Sequence, residues 1–251
     1  MPLYELSFPE KGKAPYPLIL ILPVLGRILC LPDFWIEKKL AQFFNRRGFA
    51  AAIVVRDFFE YAPAQGIEQV GKYLSAATQK AKTALDELLK IPQIDSNRIG
   101  SLGISFGGVL NVLFMAEEPR IQAGVIALAG GNLPEIITTS RDPLVKNYCK
   151  TILNGLGLNR EEFVRRLKEE LEEEPLRFAP AVDPNKILMI IAQWDRVVFP
   201  RYSLNLRKAL QNPETVFLPL GHYFSLLAMP YLERKALRFF QQKFNLERLK
   251  Q

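Results

Sequence analysis

Six short runs of apolar residues recur along this chain, and they are continuous rather than alternating: Leu18 to Leu22, Ala50 to Val55, Arg98 to Leu102, Val125 to Ala129, Ile187 to Ala192 and Thr215 to Leu218. A strand apolar on successive residues must be covered on both faces, which is the condition of a mostly parallel sheet flanked by helices. Leu3 to Phe8 alternates weakly and makes a seventh strand candidate. The segments between the runs supply the covering helices. From Ile67 to Leu89 apolar residues recur close to a 3.6-residue period, and Pro92 stops the helix. Asp33 is a plausible N-cap for another, running through Phe34, Leu40 and Phe43 to a Gly48 terminator. Strand and helix in alternation imply a doubly wound α/β fold.

A chain of 251 residues, 49% hydrophobic and 24% charged, excludes a disordered or collagenous protein. At this length one core buries roughly 70 to 75% of the unfolded surface, so no metal or disulfide is needed to hold it. The expectation is one domain over residues 1–251, with an insertion at about 131–183. There the rhythm breaks: turns rich in Asn, Gly and Pro precede EEFVRRLKEELEEE, whose Phe163, Val164, Leu167 and Leu171 share one helix face. An insertion of this length in a compact α/β unit reads as a helical lid or cap, the alternative being a surface decoration without influence on substrate.

The only histidine, His222, narrows the chemistry. Zinc sites built on several histidines are excluded, and Cys30 and Cys149 are too few for a four-cysteine or mixed site, so no structural metal is expected. Both cysteines read as small apolar fillers, in keeping with a reducing cytoplasm. The net charge of +7 raises the question of an anionic partner. Its densest basic group, Arg234, Lys235, Arg238, Lys243, Arg248 and Lys250, is interleaved with Leu237, Phe239, Phe240, Phe244 and Leu246, as in an amphipathic helix with a solvated basic face. No nucleic-acid motif accompanies it, so no nucleic-acid partner is expected. The run PLILILPVLG, Pro17 to Gly26, is too short to span a bilayer and reads as a buried strand. The expectation is a cytoplasmic protein without stable membrane insertion; the oligomeric state is not legible.

Gly103-Ile104-Ser105-Phe106-Gly107-Gly108 lies between the run Arg98 to Leu102 and a helical stretch through Val109, Leu113 and Met115. A serine at the tip of a sharp strand-to-helix turn sits in strained backbone, and the crowding demands glycine two residues to either side. A serine nucleophile needs a base to take its proton and a carboxylate behind that base. His222 follows a late strand, in the loop PLGHYF, and Asp195 follows the strand before it, in QWDRVV. Serine, acid and base thus stand in the order Ser, Asp, His, each just past a strand end, where open α/β sheets form their ligand crevices. Asp183 precedes its strand, at the other end of the sheet, and reads as the cap of a turn with Pro184. Trp194, Phe34, Trp35, Tyr223 and Phe224 are aromatics for the walls of an apolar acyl pocket or for ordinary packing.

The elbow GISFGG, the acid loop WDRVV, the GH loop and the early strand followed by PVLG together resemble the α/β-hydrolase superfamily over nearly the whole chain, most of all carboxylesterases and dienelactone-hydrolase-like proteins. The resemblance implies an α/β-hydrolase fold, with Ser105 as nucleophile, Asp195 as orienting acid and His222 as general base and then acid. It also implies an oxyanion hole from the backbone N–H groups of Phe106 and of Leu25, with Val24 as the alternative. Many members place His-Gly after the first central strand where this chain has Pro23-Val24, and dienelactone hydrolases proper use cysteine where this elbow has serine. The expected function is therefore a serine esterase that cleaves a small-molecule carboxylic ester through an acyl-enzyme, without a cofactor. The same triad acting on thioester, amide or peptide bonds, and a non-catalytic binding protein on the same scaffold, are the alternatives.

Overall fold

In the computed structural model, which describes residues 2–25, 34–56 and 67–246, each apolar run becomes a strand: β1 (Tyr4–Ser7), β2 (Tyr16–Leu22), β3 (Ala50–Val54), β4 (Ile94–Ile104), β5 (Ala123–Ala127), β6 (Ile187–Ala192) and β7 (Glu214–Leu218). They form one sheet in the order β1-β3-β2-β4-β5-β6-β7, with β1 antiparallel to β3 and the other pairs parallel. The helices are α1 (Trp35–Asn45), α2 (Gln69–Leu88), α3 (Phe106–Glu117), α4 (Leu133–Thr139), α5 (Pro143–Leu156), α6 (Arg160–Glu170), α7 (Pro175–Phe178), α8 (Pro200–Ala209) and α9 (Met229–Lys243).

Side chains alternate across a strand, so a continuous apolar run feeds two cores at once. Leu18, Leu20 and Leu22 of β2 pack with Leu74 and Leu85 of α2, Leu113 of α3 and Leu206 of α8. Ile19 and Ile21, on the opposite face, pack with Leu40 and Phe44 of α1 and Phe240 of α9. Full burial of each such side chain stabilises the fold by about 1.5–3 kcal/mol. On α9, Leu237, Phe239, Phe240 and Phe244 are buried while Arg234 and Arg238 face outward, the division its pattern requires. Arg248 and Lys250 of the same basic group lie outside the described residues, as do Cys30 and Asp33; the helix expected to run through Phe34 instead starts at Trp35, with Phe34 itself in the N-cap position at φ 56°, and Cys149 is buried. Gly48 stands just past α1 at φ +83°, the left-handed geometry that glycine supplies at a helix end.

Strand ends shift by one or two residues from their sequence reading in β1, β2, β3 and β7, and β4 and β5 differ for a visible reason. β4 starts at Ile94, because Ile94 pairs with Tyr16 across a register shift before the main ladder resumes at Leu18 and Ile99. β5 begins two residues early and ends at Ala127, since Leu128 turns to φ +54°. Residues 131–183 hold α4 to α7, and Phe163, Leu167 and Leu171 lie buried in the same core as α2 and α3. Among the described residues no helix is long and apolar enough to cross a membrane.

The chain leaves β2 for β3 on one side of it and returns to β4 on the other. At that reversal the carboxyl ends of β2 and β4 open side by side, the crevice where α/β sheets place ligands.

Candidate active site

Ser105 sits between β4 and α3 with φ 56° and ψ −117°, a combination that costs a non-glycine residue about 1–3 kcal/mol. The turn is held by the Ser105 amide, which donates to the Ala127 carbonyl at 2.8 Å, and by the amides of Gly108 and Val109, which donate to the Ser105 carbonyl. Its flanking glycines are sterically required. A Cβ on Gly103 would lie 2.0 Å from the Gly107 carbonyl oxygen, and one on Gly107 would lie 2.6 Å from that of Leu22. The side chain is thereby lifted off the sheet at the start of a helix.

His222 Nε2 lies 3.0 Å from Ser105 Oγ, and its Nδ1 lies 2.6 Å from Asp195 Oδ2. The Asp195 side chain is 2% exposed and that of His222 9%, so water competes little for these contacts. Asp195 Oδ1 accepts the amides of Val197 and Val198 at 2.7 and 2.9 Å, which fixes the carboxylate plane. A carboxylate at Nδ1 keeps the proton there, so Nε2 presents a lone pair to the serine hydroxyl. Two backbone bonds lace the acid and base loops together, Gln193 N–H to Leu218 O at 2.8 Å and Trp194 N–H to Leu220 O at 3.0 Å. Such a constellation moves a proton from a hydroxyl to an imidazole while the carboxylate stabilises the resulting cation. Asp183 is not part of it; its carboxylate accepts the Asn185 amide at 2.9 Å and caps the turn before β6.

The two amides considered for the first oxyanion donor are distinguished by a residue that sequence reading missed. Glu37 of α1, 1% exposed, accepts the Val24 N–H at 3.0 Å. That amide is therefore occupied, and Leu25 follows it at the edge of the pocket. Phe106 opens α3, so its N–H has no acceptor within the helix. Its place in Ile36-Glu37-Lys38, between one apolar and one charged residue, gave no hint that this acid is buried.

The pocket beside Ser105 has a volume of about 180 Å³ and an almost wholly apolar lining. One wall is α2 and α3, through Val70, Tyr73 and Val109; another is α4 and α5, through Ile136, Leu144 and Val145. Helices of the 131–183 segment thus line the pocket. Among the aromatic candidates Tyr223 lines it, whereas Trp194 and Phe224 are 66% and 67% exposed. Two further carboxylates organise this wall. Asp142 caps α5 with Oδ1, which accepts the amides of Leu144 and Val145, while its Oδ2 accepts a short hydrogen bond from the Tyr223 hydroxyl. Burial and the neighbouring carboxylate of Asp142 push the Tyr223 phenol well above its ordinary pKa. Glu174 accepts the Asn132 and Leu133 amides at 2.6 and 2.8 Å and holds the start of α4. Burial raises its pKa despite those bonds, which act the other way. The Asp-Pro and Glu-Pro pairs at 142–143 and 174–175 were the available signals, since an acid before proline is a helix-start pattern.

Residues 78–247 match the model of the prolyl oligopeptidase family, Peptidase_S9. No curated protein matches the sequence. Among solved structures, the chain is similar to the acetyl xylan esterase from Paenibacillus sp. R4 at 20% identity and a TM-score of 0.68, over 95% of this chain and 78% of that one. The acylaminoacyl peptidase of Pyrococcus horikoshii is 22% identical with a TM-score of 0.68, over 99% of this chain; this chain spans 40% of that peptidase's length. Est1E from Butyrivibrio proteoclasticus is 17% identical with a TM-score of 0.62, over 94% and 93% of the two chains. At these identities the likeness establishes the fold.

Proposed function

We propose, from the premise that this chain belongs to the prolyl oligopeptidase family of α/β-hydrolase-fold serine hydrolases, that it cleaves carboxylic esters with an apolar acyl group. In this reading Ser105 attacks the ester carbonyl as His222 takes its proton. The oxyanion is held by the amides of Leu25 and Phe106. His222 then protonates the departing alcohol, and water, activated by the same imidazole, releases the acid from the acyl-enzyme. The observation that carries the reading is the line from Ser105 Oγ through His222 to Asp195, at 3.0 and 2.6 Å, ending on a serine in strained backbone.

The acyl preference follows from the pocket. Its volume of about 180 Å³ slightly exceeds the ~150 Å³ of an apolar cavity that holds a benzene ring, which suits an aromatic or a six- to eight-carbon acyl group. Burying each added methylene there favours binding by about 0.8 kcal/mol. Amide or peptide cleavage is the second reading, supported by the family and by the likeness to an acylaminoacyl peptidase. Substrates with a free amino terminus are disfavoured, whether ester or amide, because the one carboxylate facing the pocket among the described residues besides the triad, Asp142, is already occupied by two amides and a phenol. A substrate ammonium finds no free anion there. A cytoplasmic location belongs to the same proposal, supported by two cysteines that give no disulfide framework.

Fluorophosphonate treatment followed by peptide mass mapping tests the nucleophile, with a single adduct on Ser105 expected. A p-nitrophenyl ester series from acetyl to dodecanoyl, set against aminoacyl amides, tests the bond and the acyl group. An unlabelled Ser105 defeats the reading; labelling with amides cleaved faster than any ester transfers it to the second.

A further inference from the structure

A second groove, of about 1070 Å³, runs along the outer side of α5 to the starts of α6 and α8. Five cations line it, Arg141, Lys146, Lys150, Arg160 and Arg201, and no carboxylate does. Among the described residues none of the five forms an ion pair, whereas Lys82, Arg120, Arg166 and Lys168 elsewhere each pair with an acid. Of the acids next to these cations in sequence, Asp142 has its two oxygens engaged by Leu144, Val145 and Tyr223, Glu162 pairs with Arg166, and Glu161 does not line the groove.

Arg201 donates to the Tyr202 hydroxyl at 2.7 Å and lies over the Phe199 and Tyr202 rings; among the described residues the side chains of the other four make no hydrogen bond or ion pair that would give their charge a structural use. Lys146 and Lys150 are four residues apart on one helix, where like charges repel. Lys146 and Arg160 also stand in the first turns of α5 and α6, the helix ends that disfavour a cation. The chain's whole excess of positive charge is seven, and five exposed cations without an ion pair among the described residues surround this one concave surface. Leu153 and Phe199 add an apolar strip to the same groove. Ile137 and Ser140 line both this groove and the pocket beside Ser105.

We propose that this groove binds a phosphorylated organic anion, a molecule with two or more phosphate charges on a body able to lie against Leu153 and Phe199. Lysine and arginine at the rim supply charge-assisted hydrogen bonds to phosphate oxygens, and the field of a groove lined by one sign concentrates anions. The same chemistry has two sources, the phosphorylated leaving half of an acyl substrate or a separate small-molecule ligand.

Titration calorimetry of the full chain with adenosine 3′,5′-bisphosphate, and separately with inorganic tripolyphosphate, tests the site itself and does not depend on the hydrolytic reading. Saturable binding of one equivalent is expected, weakened tenfold or more in K146E/K150E and less than twofold in R234E/R238E on the basic face of α9. Absent binding, or equal loss in both variants, overturns the proposal. The single variant K150Q, which only removes a charge at an exposed site, repeats the test should the double variant fold poorly. Two thioesters then distinguish the sources, and this arm rests on the hydrolytic reading. A fall in kcat/KM for S-octanoyl-4′-phosphopantetheine in K146E/K150E, without one for the unphosphorylated S-octanoyl-N-acetylcysteamine, assigns the groove to the substrate's leaving half. Equal rates in both, with the bisphosphate still bound, assign it to a separate ligand.

Discussion

One oxygen of Asp195 is committed before His222 reaches it: Oδ1 accepts the amides of Val197 and Val198, and only Oδ2, at 2.6 Å, takes Nδ1 of the ring. The acid is thus oriented by its own loop. Its two oxygens have separate duties, which separate variants can remove.

Asp195→Asn keeps an oxygen for the two amides and puts an NH₂ group against His222 Nδ1, forcing the proton to the wrong nitrogen. Turnover is expected to fall by roughly 10⁴ with the fold intact. Asp195→Ala loses turnover and also strands two backbone amides, one of them in a buried hydrogen bond, a further cost of about 1–3 kcal/mol. Ester hydrolysis measured beside urea unfolding separates the two. An Asn variant within tenfold of wild-type turnover removes Asp195 from the mechanism.

Ser105 carries a different cost, in its backbone. Alanine inherits the strain of φ 56°, ψ −117°, whereas glycine accepts that geometry and gives back about 0.4–1 kcal/mol through the freer unfolded chain. Ser105→Gly is therefore expected to exceed Ser105→Ala in unfolding free energy by about 0.5–2 kcal/mol, both being inactive. Equal urea midpoints mean that the turn is not strained.

These two cases mark what could be read in advance. The runs at Leu18 to Leu22 and Ile187 to Ala192 announce covered strands because burial on both faces leaves no place for polar residues. The elbow announces itself because its glycines answer a steric demand within five residues. Glu37 was not legible, and for Glu174 the following proline marks only the start of α7: each is one acid among many on a helix or in an acidic run, and what makes it special is a backbone amide thirteen or about forty residues away. The link from Tyr223 to Asp142 spans 81 positions and likewise exists only once the sheet has brought both loops to one rim.

Glu174 has a pH signature. Burial lifts its folded pKa above the ordinary 4.5, so the native state holds its proton longer than the unfolded chain does. The associated stability is complete below pH 4.5 and is lost as pH rises through the folded value. Glu233, also raised by burial, contributes a slope of the same sign. Glu174→Gln is expected to flatten the wild-type fall in stability above pH 4.5 while costing about 1 kcal/mol throughout, because its NH₂ group faces an amide that Glu174 accepts. Unfolding curves at half-unit steps from pH 4 to 7 check this; an unchanged slope returns the residue to a purely geometric role.

Tyr223 joins the base loop to the pocket wall. Its hydroxyl donates to Asp142 Oδ2 while its ring meets the His222 ring edge-on at 5.5 Å, and Asp142 itself caps the helix that carries Leu144 and Val145. Because the phenol pKa is raised, the proton stays on the donor through the alkaline range, and the link persists wherever the enzyme is assayed. Tyr223→Phe removes this bond alone and leaves the cap of α5 in place. For a hydrogen bond at a partly exposed site the loss is about 1 kcal/mol, or roughly fivefold in the local opening of α5. Amide exchange at Lys146 to Tyr148 should accelerate by that factor. A looser wall holds a long acyl chain less well than a short one, so the ratio of kcat/KM for octanoyl over acetyl ester should fall about threefold or more. Faster exchange with an unchanged ratio limits Tyr223 to stability; unchanged exchange denies the link altogether.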